Sequence, residues 1–311
     1  AVWLKAFWPK LVSILHQCDM WRALAGEFTA PIRSVASRGI DDAKQLLGVG
    51  GSLSHRGKAY ELVARHQIAR DTHRFKLALE SSDALLGLPV GHHVQVRLPG
   101  RPDEVREYTP VTGNETKGSF DLVVKLYKGG TFSRYFASLQ VGEKVEVAGP
   151  MGTLAYNGGG SFQIRERFGP SKTIQCSNVA MVSGGSGITP MYQIVSHLTS
   201  ADDPLMVSLL SASKIPHDAI LQEELDDLAT KNQAFSVLYA VEKDYYKPNM
   251  GQRFTGLVSA EMLSATLATL SSEPDLVCTC GPSLFQSHVQ EILTNDLGIC
   301  EDLIFAFETR A

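Results

Sequence analysis

A glycine-rich turn between a strand and a helix is the feature that most constrains the fold of this chain. The segment Val179-Ala-Met-Val-Ser183 is continuously apolar, as in a strand buried on both faces, and Gly184-Gly-Ser-Gly-Ile-Thr-Pro190 follows it directly. A helix is predicted over Met191–Leu198, and Pro190 suits its start because proline lacks an N–H that the first turn would leave unpaired. This order of strand, glycine turn and helix indicates the first unit of a parallel α/β sheet.

The rest of residues 173–311 continues the alternation. The predicted strands are Leu205–Leu210, Phe235–Ala240, Leu276–Cys280 and Leu303–Phe307, and the predicted helices are Ala219–Ala229, Ser259–Leu270 and Ser283–Leu293. Such a series predicts a parallel sheet with its ligand-binding edge at the carboxyl ends of the strands.

The glycine turn has two interpretations. Gly185 and Gly187 would let the backbone approach a pyrophosphate closely, with Thr189 as a capping hydroxyl, which is typical of a dinucleotide site. The alternative is a tight turn in which the glycines serve packing alone.

Two further residues lie at the predicted ligand edge. Glu242 follows the strand that ends at Ala240, and a carboxylate there would accept a hydrogen bond from a ribose 2′-OH and repel a 2′-phosphate, which favours NADH over NADPH. The alternative for Glu242 is a solvated loop acid. Cys280 ends the following strand without a metal-binding partner in the sequence, so proximity to a bound ring is its only functional interpretation.

Residues 59–172 show a different pattern, with the alternation and β-branched content of an antiparallel barrel or sandwich. The predicted strands include Arg74–Leu79, His93–Leu98, Phe120–Tyr127 and Lys144–Ala148. One helix is predicted over Phe132–Leu139, directly after Gly129-Gly130. Free N–H groups and the positive dipole end at this helix start would hold a phosphate, with the Ser133 hydroxyl as a further donor.

Arg106, Tyr108 and Thr109 lie close together on an extended segment. Strand alternation predicts Arg106 and Tyr108 on one face and Thr109 on the other, which would suit a ring that carries a charged diphosphate tail. The alternative is an ordinary exposed edge strand.

Residues 1–58 form a distinct N-terminal extension. All three tryptophans lie within its first 21 residues, and apolar residues recur there at three-to-four spacing between basic ones, which predicts a basic amphipathic helix. Such a helix could pack on the protein's own surface, lie in a membrane interface or contact a partner subunit. The extension has a net charge of +4 and the remainder −8, within a total of −4 that argues against nucleic-acid binding.

Six motifs follow one another from the barrel to the end of the parallel domain. They are Arg106-Glu-Tyr-Thr-Pro-Val-Thr112, Asp121-Leu-Val-Val-Lys-Leu-Tyr127, Gly129-Gly-Thr-Phe-Ser-Arg-Tyr135, Gly149-Pro-Met-Gly152, Gly184-Gly-Ser-Gly-Ile-Thr-Pro-Met191 and Cys280-Gly-Pro282. In this order they resemble the NADH–cytochrome b5 reductase family of the ferredoxin reductase superfamily. The resemblance covers the chain from about Tyr60 onward and excludes the extension. It implies a two-domain α+β fold, with an antiparallel six-stranded FAD-binding β-barrel followed by a Rossmann-like parallel α/β NAD-binding domain.

The resemblance also implies site residues. Those implied for FAD are Arg106, Tyr108, Thr109, Val123, Val124, Lys125, Tyr127, Gly130, Thr131, Phe132, Ser133 and Thr189. Those implied for NADH are Gly184, Gly185, Gly187, Pro190, Glu242, Cys280, Gly281 and Pro282. The residues implied for catalysis are Thr109 at the flavin, Lys125 with an effect on NADH, and Cys280 beside the nicotinamide, with no metal.

The activity implied by the resemblance is hydride transfer from NADH to FAD, followed by single-electron transfer to a haem protein or another acceptor. Two departures from the family pattern stand out. Thr131 stands where the family usually has Lys or Arg near the pyrophosphate. Ser283-Leu-Phe285 stands where the family commonly has Pro-Pro-Met after Cys-Gly-Pro. The alternative function is therefore an FAD-binding accessory subunit of a mitochondrial membrane complex with little NADH turnover. The expected location is the mitochondrial membrane surface, with the endoplasmic reticulum as the second choice.

Overall fold

The computed structural model describes residues 51–165, 170–200, 203, 205–243 and 253–308. The amphipathic helix predicted within residues 1–58 lies outside the described residues, apart from the last part of that segment. Within the described part of the chain, two sheets of six strands and one of three strands account for the β structure.

The first sheet is antiparallel throughout. Its strands are β1 (Lys58–Ala69), β2 (Thr72–Ala78), β3 (His93–Leu98), β4 (Arg101–Tyr108), β5 (Ser119–Lys125) and β6 (Lys144–Met151). Their spatial order is β4-β3-β6-β1-β2-β5. Alternate residues such as Phe75 and Leu77 are fully buried, because every second side chain points to the inside. The predicted six-stranded antiparallel barrel is confirmed.

The described chain joins this barrel ahead of β1. The Tyr60 hydroxyl donates a hydrogen bond to the Ser52 carbonyl at 2.6 Å. The Ser52 N–H donates to the Leu85 carbonyl at 3.1 Å, and the Gly149 N–H donates to the Ser54 carbonyl at 3.1 Å. Residues 52–54 therefore pack on the barrel, although the sequence pattern assigns them to the extension.

A helix and a small sheet complete this part of the molecule. Helix α1 (Thr131–Ser138) follows a turn in which Gly129 has φ +84°, a conformation that favours glycine. The small antiparallel sheet consists of β7 (Leu154–Tyr156), β8 (Ser161–Arg165) and β9 (Ser171–Gln175), and it leads from the barrel to the second sheet. The sequence analysis did not predict this small sheet.

The second large sheet is parallel. Its strands are β10 (Asn178–Gly184), β11 (Met206–Ser213), β12 (Phe235–Val241), β13 (Arg253–Thr255), β14 (Leu276–Cys280) and β15 (Ile304–Ala306), in the order β13-β12-β11-β10-β14-β15. The helices between them are α2 (Ile188–Ser200), α3 (Gln222–Lys231), α4 (Ala260–Leu267) and α5 (Ser283–Glu291). Strand β10 is buried along its whole length, as its continuous apolar run predicts. The predicted Rossmann-like domain is confirmed.

Some helix boundaries differ from the prediction. Helix α3 begins at Gln222 instead of Ala219, because a short 3₁₀ turn at Pro216–Asp218 precedes it and Leu221 has φ 59°. Helix α5 ends at Glu291 and continues as a π turn over Ile292–Asp296. These differences leave the strand ends at the ligand edge unchanged.

One hydrophobic core spans both large sheets. Val123 of the barrel packs in the same cluster as Ile188 and Met191 of α2 and Cys280 of β14. A second cluster fills the barrel, and a third lies against the other face of the parallel sheet. The shared core holds the barrel and the parallel domain against each other at the cleft described next.

Candidate active site

A cleft of about 810 Å³ lies where the barrel meets the carboxyl edge of the parallel sheet. This volume is within the range of ligand-binding pockets. The barrel side is lined by His93, Asp103, Glu104, Val105, Arg106, Glu107, Tyr108, Thr109, Val123, Lys125, Tyr127, Gly130, Thr131, Phe132 and Ser133. The other side is lined by Ser186, Gly187, Thr189, Pro190, Cys280, Gly281, Pro282, Ser283, Phe307 and Glu308.

Arg106, Tyr108 and Thr109 all line this cleft. Val105 and Glu107 line it as well, so cleft lining does not assign residues of β4 to one face. Because β4 ends at Tyr108, strand alternation does not extend to Thr109, and its predicted opposite face remains a prediction. The Arg106 guanidinium lies 5.8 Å from the centre of the Phe132 ring, so the end of β4 contacts the start of α1. Burial raises the pKa of the Tyr108 phenol above its usual value, so Tyr108 remains a neutral hydrogen-bond donor at physiological pH.

The start of α1 is open to a ligand. Its N-cap residue is Gly130, and no side chain caps the first turn or places an acidic group there. The Ser133 hydroxyl accepts a hydrogen bond from the Tyr127 N–H at 2.8 Å, which fixes the turn that leads into the helix. The hydroxyl proton of Ser133 remains available for donation. Thr131 and Phe132 complete this wall of the cleft.

Strand β5 divides its residues between the cleft and the barrel interior. Val123 and Lys125 line the cleft, whereas Val124 between them is buried in the barrel core. Val124 therefore does not present its side chain to the cleft, because alternation turns it to the opposite face. The Lys125 ammonium lies 3.4 Å from an Asp71 carboxylate oxygen, which holds the amine at the cleft wall. Tyr127 lies at the rim and is 54% exposed.

The glycine turn contributes the opposite wall. Gly187, Thr189 and Pro190 line the cleft, whereas Gly184 and Gly185 do not. A Cβ added to Gly184 would lie 2.9 Å from the Phe285 ring, so a phenyl group packs directly against this glycine. Phe285 thus places an aromatic ring behind the turn.

The end of β14 lies beside the glycine turn. Cys280, Gly281 and Pro282 all line the cleft. Cys280 is buried, and burial raises the pKa of its thiol to about 12. The thiol is therefore neutral at physiological pH, and it brings no charge to this part of the cleft.

Glu242 lies outside the residues that line the cleft. It follows β12 on the exposed surface, and its N–H donates to the Ser213 carbonyl at 3.0 Å. Its carboxylate lies 3.9 Å from the Lys243 ammonium. Its selection of the nucleotide remains a prediction.

Several residues of the cleft were missed in the sequence analysis. His93 and Phe307 come from a strand start and from the C-terminal segment, and they meet only in the folded chain. Phe307 could have been predicted, because it follows the last strand of a parallel sheet and such positions lie at the ligand edge.

The donors of the cleft suit a flavin dinucleotide. Arg106, Lys125 and the uncapped start of α1 bring positive charge and backbone donors to one wall, as a diphosphate requires. Within the described residues, no group of three or more His, Cys, Asp or Glu side chains is arranged to hold a metal ion.

Comparison with known proteins identifies both domains. The oxidoreductase FAD-binding domain matches residues 59–156, and the oxidoreductase NAD-binding domain matches residues 181–291. Human NADH-cytochrome b5 reductase 2 is 33% identical over 79% of this chain and 92% of its own length. The chain belongs to the NADH–cytochrome b5 reductase family. Mouse NADH-cytochrome b5 reductase 3 is 36% identical over 71% of this chain and 76% of its own length.

The family fold is also found among solved structures. The cytochrome b5 reductase domain of Ulva prolifera nitrate reductase superposes with a TM-score of 0.73 at 31% identity, and the match covers 83% of this chain and all of that domain. Family membership makes this chain an oxidoreductase with FAD- and NAD-binding domains. No helix in the described ranges is long and apolar enough to cross a membrane.

Proposed function

We propose that this chain is an NADH-dependent flavoprotein reductase that passes electrons to a one-electron acceptor such as a haem protein. One observation carries the proposal. A single cleft brings Arg106 and the start of α1 together with Gly187 and Cys280, and these residues come from the two domains. The relatives named above are NADH-cytochrome b5 reductases, which supports the same activity.

The residues of the barrel would hold FAD. Arg106 and the start of α1 would neutralise the diphosphate, and Tyr108 and Val123 would pack along the ring system. When bound, FAD accepts a hydride equivalent from NADH and releases electrons one at a time. Thr109 and Lys125 orient the reacting partners at the cleft wall.

The residues of the parallel domain would hold NADH. Gly187 and Pro190 let the nucleotide approach the backbone, and Thr189 places a hydroxyl at the junction of the two domains. The neutral Cys280 thiol would lie beside the nicotinamide without adding charge. Orientation and exclusion of water are the contributions of the protein, so this chemistry needs no acid–base pair.

The acceptor docks at the open rim of the cleft. Asp103 and Glu104 line this rim and are exposed, which favours an acceptor whose docking face is not strongly acidic. The names of the relatives give cytochrome b5 as their acceptor. Cytochrome b5 and other haem proteins should therefore be compared as electron acceptors of this protein. Electron transfer that slows with added salt would indicate a basic docking face.

We place the protein at a membrane surface through residues 1–58, with the mitochondrion favoured. The basic, tryptophan-rich pattern of this segment supports the proposal. Flotation of the full chain with anionic vesicles tests it, and a chain that lacks residues 1–50 is the control. Equal flotation of the two proteins would contradict a role for the segment.

The deciding experiment is anaerobic addition of NADH to the purified flavoprotein, with flavin absorbance as the readout. Rapid bleaching is the expected result. A flavin that stays oxidised would instead favour a flavin-bearing accessory subunit. The observation that supports this alternative is Leu284, which is 87% exposed and follows the cleft residue Ser283.

A further inference from the structure

One buried glutamine connects the two domains next to the cleft. Gln193 lies on α2 and is 7% exposed. Its amide oxygen accepts a hydrogen bond from the Gly91 N–H of the barrel at 2.7 Å. Its amide nitrogen donates to the His92 carbonyl at 3.3 Å. Both ends of one side chain therefore bond to consecutive residues of the other domain.

The two segments joined by Gln193 both reach the cleft. Thr189 precedes Gln193 by four residues on the same helix, so the two side chains share a face. Thr189 lines the cleft from the parallel domain, and His93, which follows His92, lines it from the barrel. A shift of α2 against Gly91 would therefore change the separation of the two walls that hold the reacting groups.

The barrel end of this connection is fixed. Gly91 has φ +90°, and an added Cβ would lie 2.7 Å from both the Leu154 side chain and its carbonyl. Burial lowers the pKa of the neighbouring His92 to about 4, an effect to which the adjacent His93 and Arg165 also contribute, so the His92 ring is neutral. The hydrogen bonds of Gln193 thus end on a rigid and uncharged segment.

The shared apolar core and the Arg74–Glu224 ion pair restrict the alignment of the domains less than this amide does. The shared apolar core is non-directional, so it resists separation more than sliding. The ion pair between Arg74 and Glu224, at 2.6 Å, joins partly exposed side chains, and such pairs contribute little. A buried two-ended amide contact fixes distance and angle together.

We infer that Gln193 is a positioning residue, which aligns the nicotinamide-binding domain with the flavin-binding barrel for hydride transfer. The inference rests on the proposed function. Misplacement of reacting groups by about 1 Å can cost roughly a hundredfold in rate. Gln193 itself does not line the cleft, so its loss is expected to change the rate of transfer without removing either cofactor.

The test uses Gln193→Met, which keeps the length and helix preference of the side chain but removes both hydrogen bonds. Hydrogen exchange of the Gly91 amide is expected to accelerate about fivefold or more. Flavin content and the Kd of NAD⁺ are expected to change less than about threefold, while flavin reduction at saturating NADH slows at least about tenfold. Glu224→Gln, which removes the partly exposed ion pair, is the matched control and retains the wild-type rate.

Gln193→Glu provides a second test if the methionine variant does not fold. Its carboxylate can accept a hydrogen bond from the Gly91 N–H, but it is repelled by the His92 carbonyl oxygen. Slow flavin reduction is therefore expected again. A wild-type reduction rate in either folded variant overturns the positioning role, and so does unchanged Gly91 exchange in Gln193→Met. If NADH does not reduce the flavin of the wild-type protein, the proposed function is wrong instead. Hydrogen exchange of the Gly91 amide then still shows whether its hydrogen bond to Gln193 exists.

Discussion

Substitution of Gly187 by alanine would force the two nucleotide-binding turns apart. A Cβ at this position would lie 2.4 Å from the Cys280 carbonyl oxygen and 2.7 Å from the Gly281 nitrogen. Ordinary contacts between such atoms are about 3.5 Å, so the turns must separate by about 1 Å. Both contacts are with backbone atoms, so no side-chain rotation relieves them.

Two effects of Gly187→Ala can be estimated from this clash. Overpacking of a buried site costs about 1–3 kcal/mol of unfolding free energy, and a Tm decrease of roughly 2–10 °C follows. Displacement of the nicotinamide-binding turns by about 1 Å is expected to slow hydride transfer by up to about a hundredfold. The rate should therefore fall much more than the stability alone would explain.

Stopped-flow absorbance under anaerobic conditions measures the rate of flavin reduction, and thermal unfolding measures stability. Gly298→Ala is the control, because Gly298 has φ +68° and open space around it. That change costs about 1–2 kcal/mol for the left-handed backbone but leaves the cleft intact. A wild-type rate of flavin reduction in Gly187→Ala would refute the steric argument.

Four further predictions concern the cofactors, pH and the N-terminal boundary. Arg106→Ala removes a charge-assisted contact worth about 1.5–3 kcal/mol, so the Kd of FAD should rise about 10- to 100-fold; full flavin retention after dialysis would contradict its assigned role. Glu242→Arg should shift kcat/KM towards NADPH relative to NADH, whereas an unchanged ratio would make this residue an ordinary loop acid. Because burial lowers the pKa of His92 to about 4, the unfolded chain binds more protons than the folded chain between about pH 4 and 6.5. This contribution to stability is therefore complete above pH 6.5 and is lost as the pH falls towards 4. Urea unfolding at pH 4.5 and pH 7 measures it. Between these pH values, the change in unfolding free energy of the wild type should exceed that of His92→Gln by about 2–3 kcal/mol. Deletion of residues 1–57 should lower Tm relative to deletion of residues 1–50, since the Ser52 and Ser54 backbone contacts with the barrel are lost. Equal Tm values for the two truncations would contradict this boundary.

The sequence predicts much of the fold because its signals are local. Continuous apolar character marks β10, and alternation marks β2 and β3, so each strand type is readable without neighbours. Strand β13 was missed because Arg253-Phe-Thr255 has no continuous apolar run. The small sheet β7–β9 was missed because polar residues make up most of β8 and β9, unlike the apolar strands β14 and β15 that were predicted.

The candidate site was only partly predictable. Glycine turns and the Arg106 motif pointed to phosphate-binding positions, because their conformational and charge requirements are properties of a few adjacent residues. The predicted face of Thr109 extended strand alternation past the end of β4, where alternation does not apply. The family resemblance named Val124 without distinguishing side-chain from backbone contact, and the folded chain buries this side chain in the barrel core.

The sequence by itself therefore determined the order of the elements, the glycine turns and the chemistry of the cleft walls, since these depend on residues close together in the chain. Tertiary structure alone decided which walls face each other. It brought Phe307 and Arg106 to the same cleft and joined Gln193 to Gly91, and each pair is separated by more than 100 positions in the chain. Such contacts depend on strand register and on the packing of one domain against the other, and no local pattern encodes either.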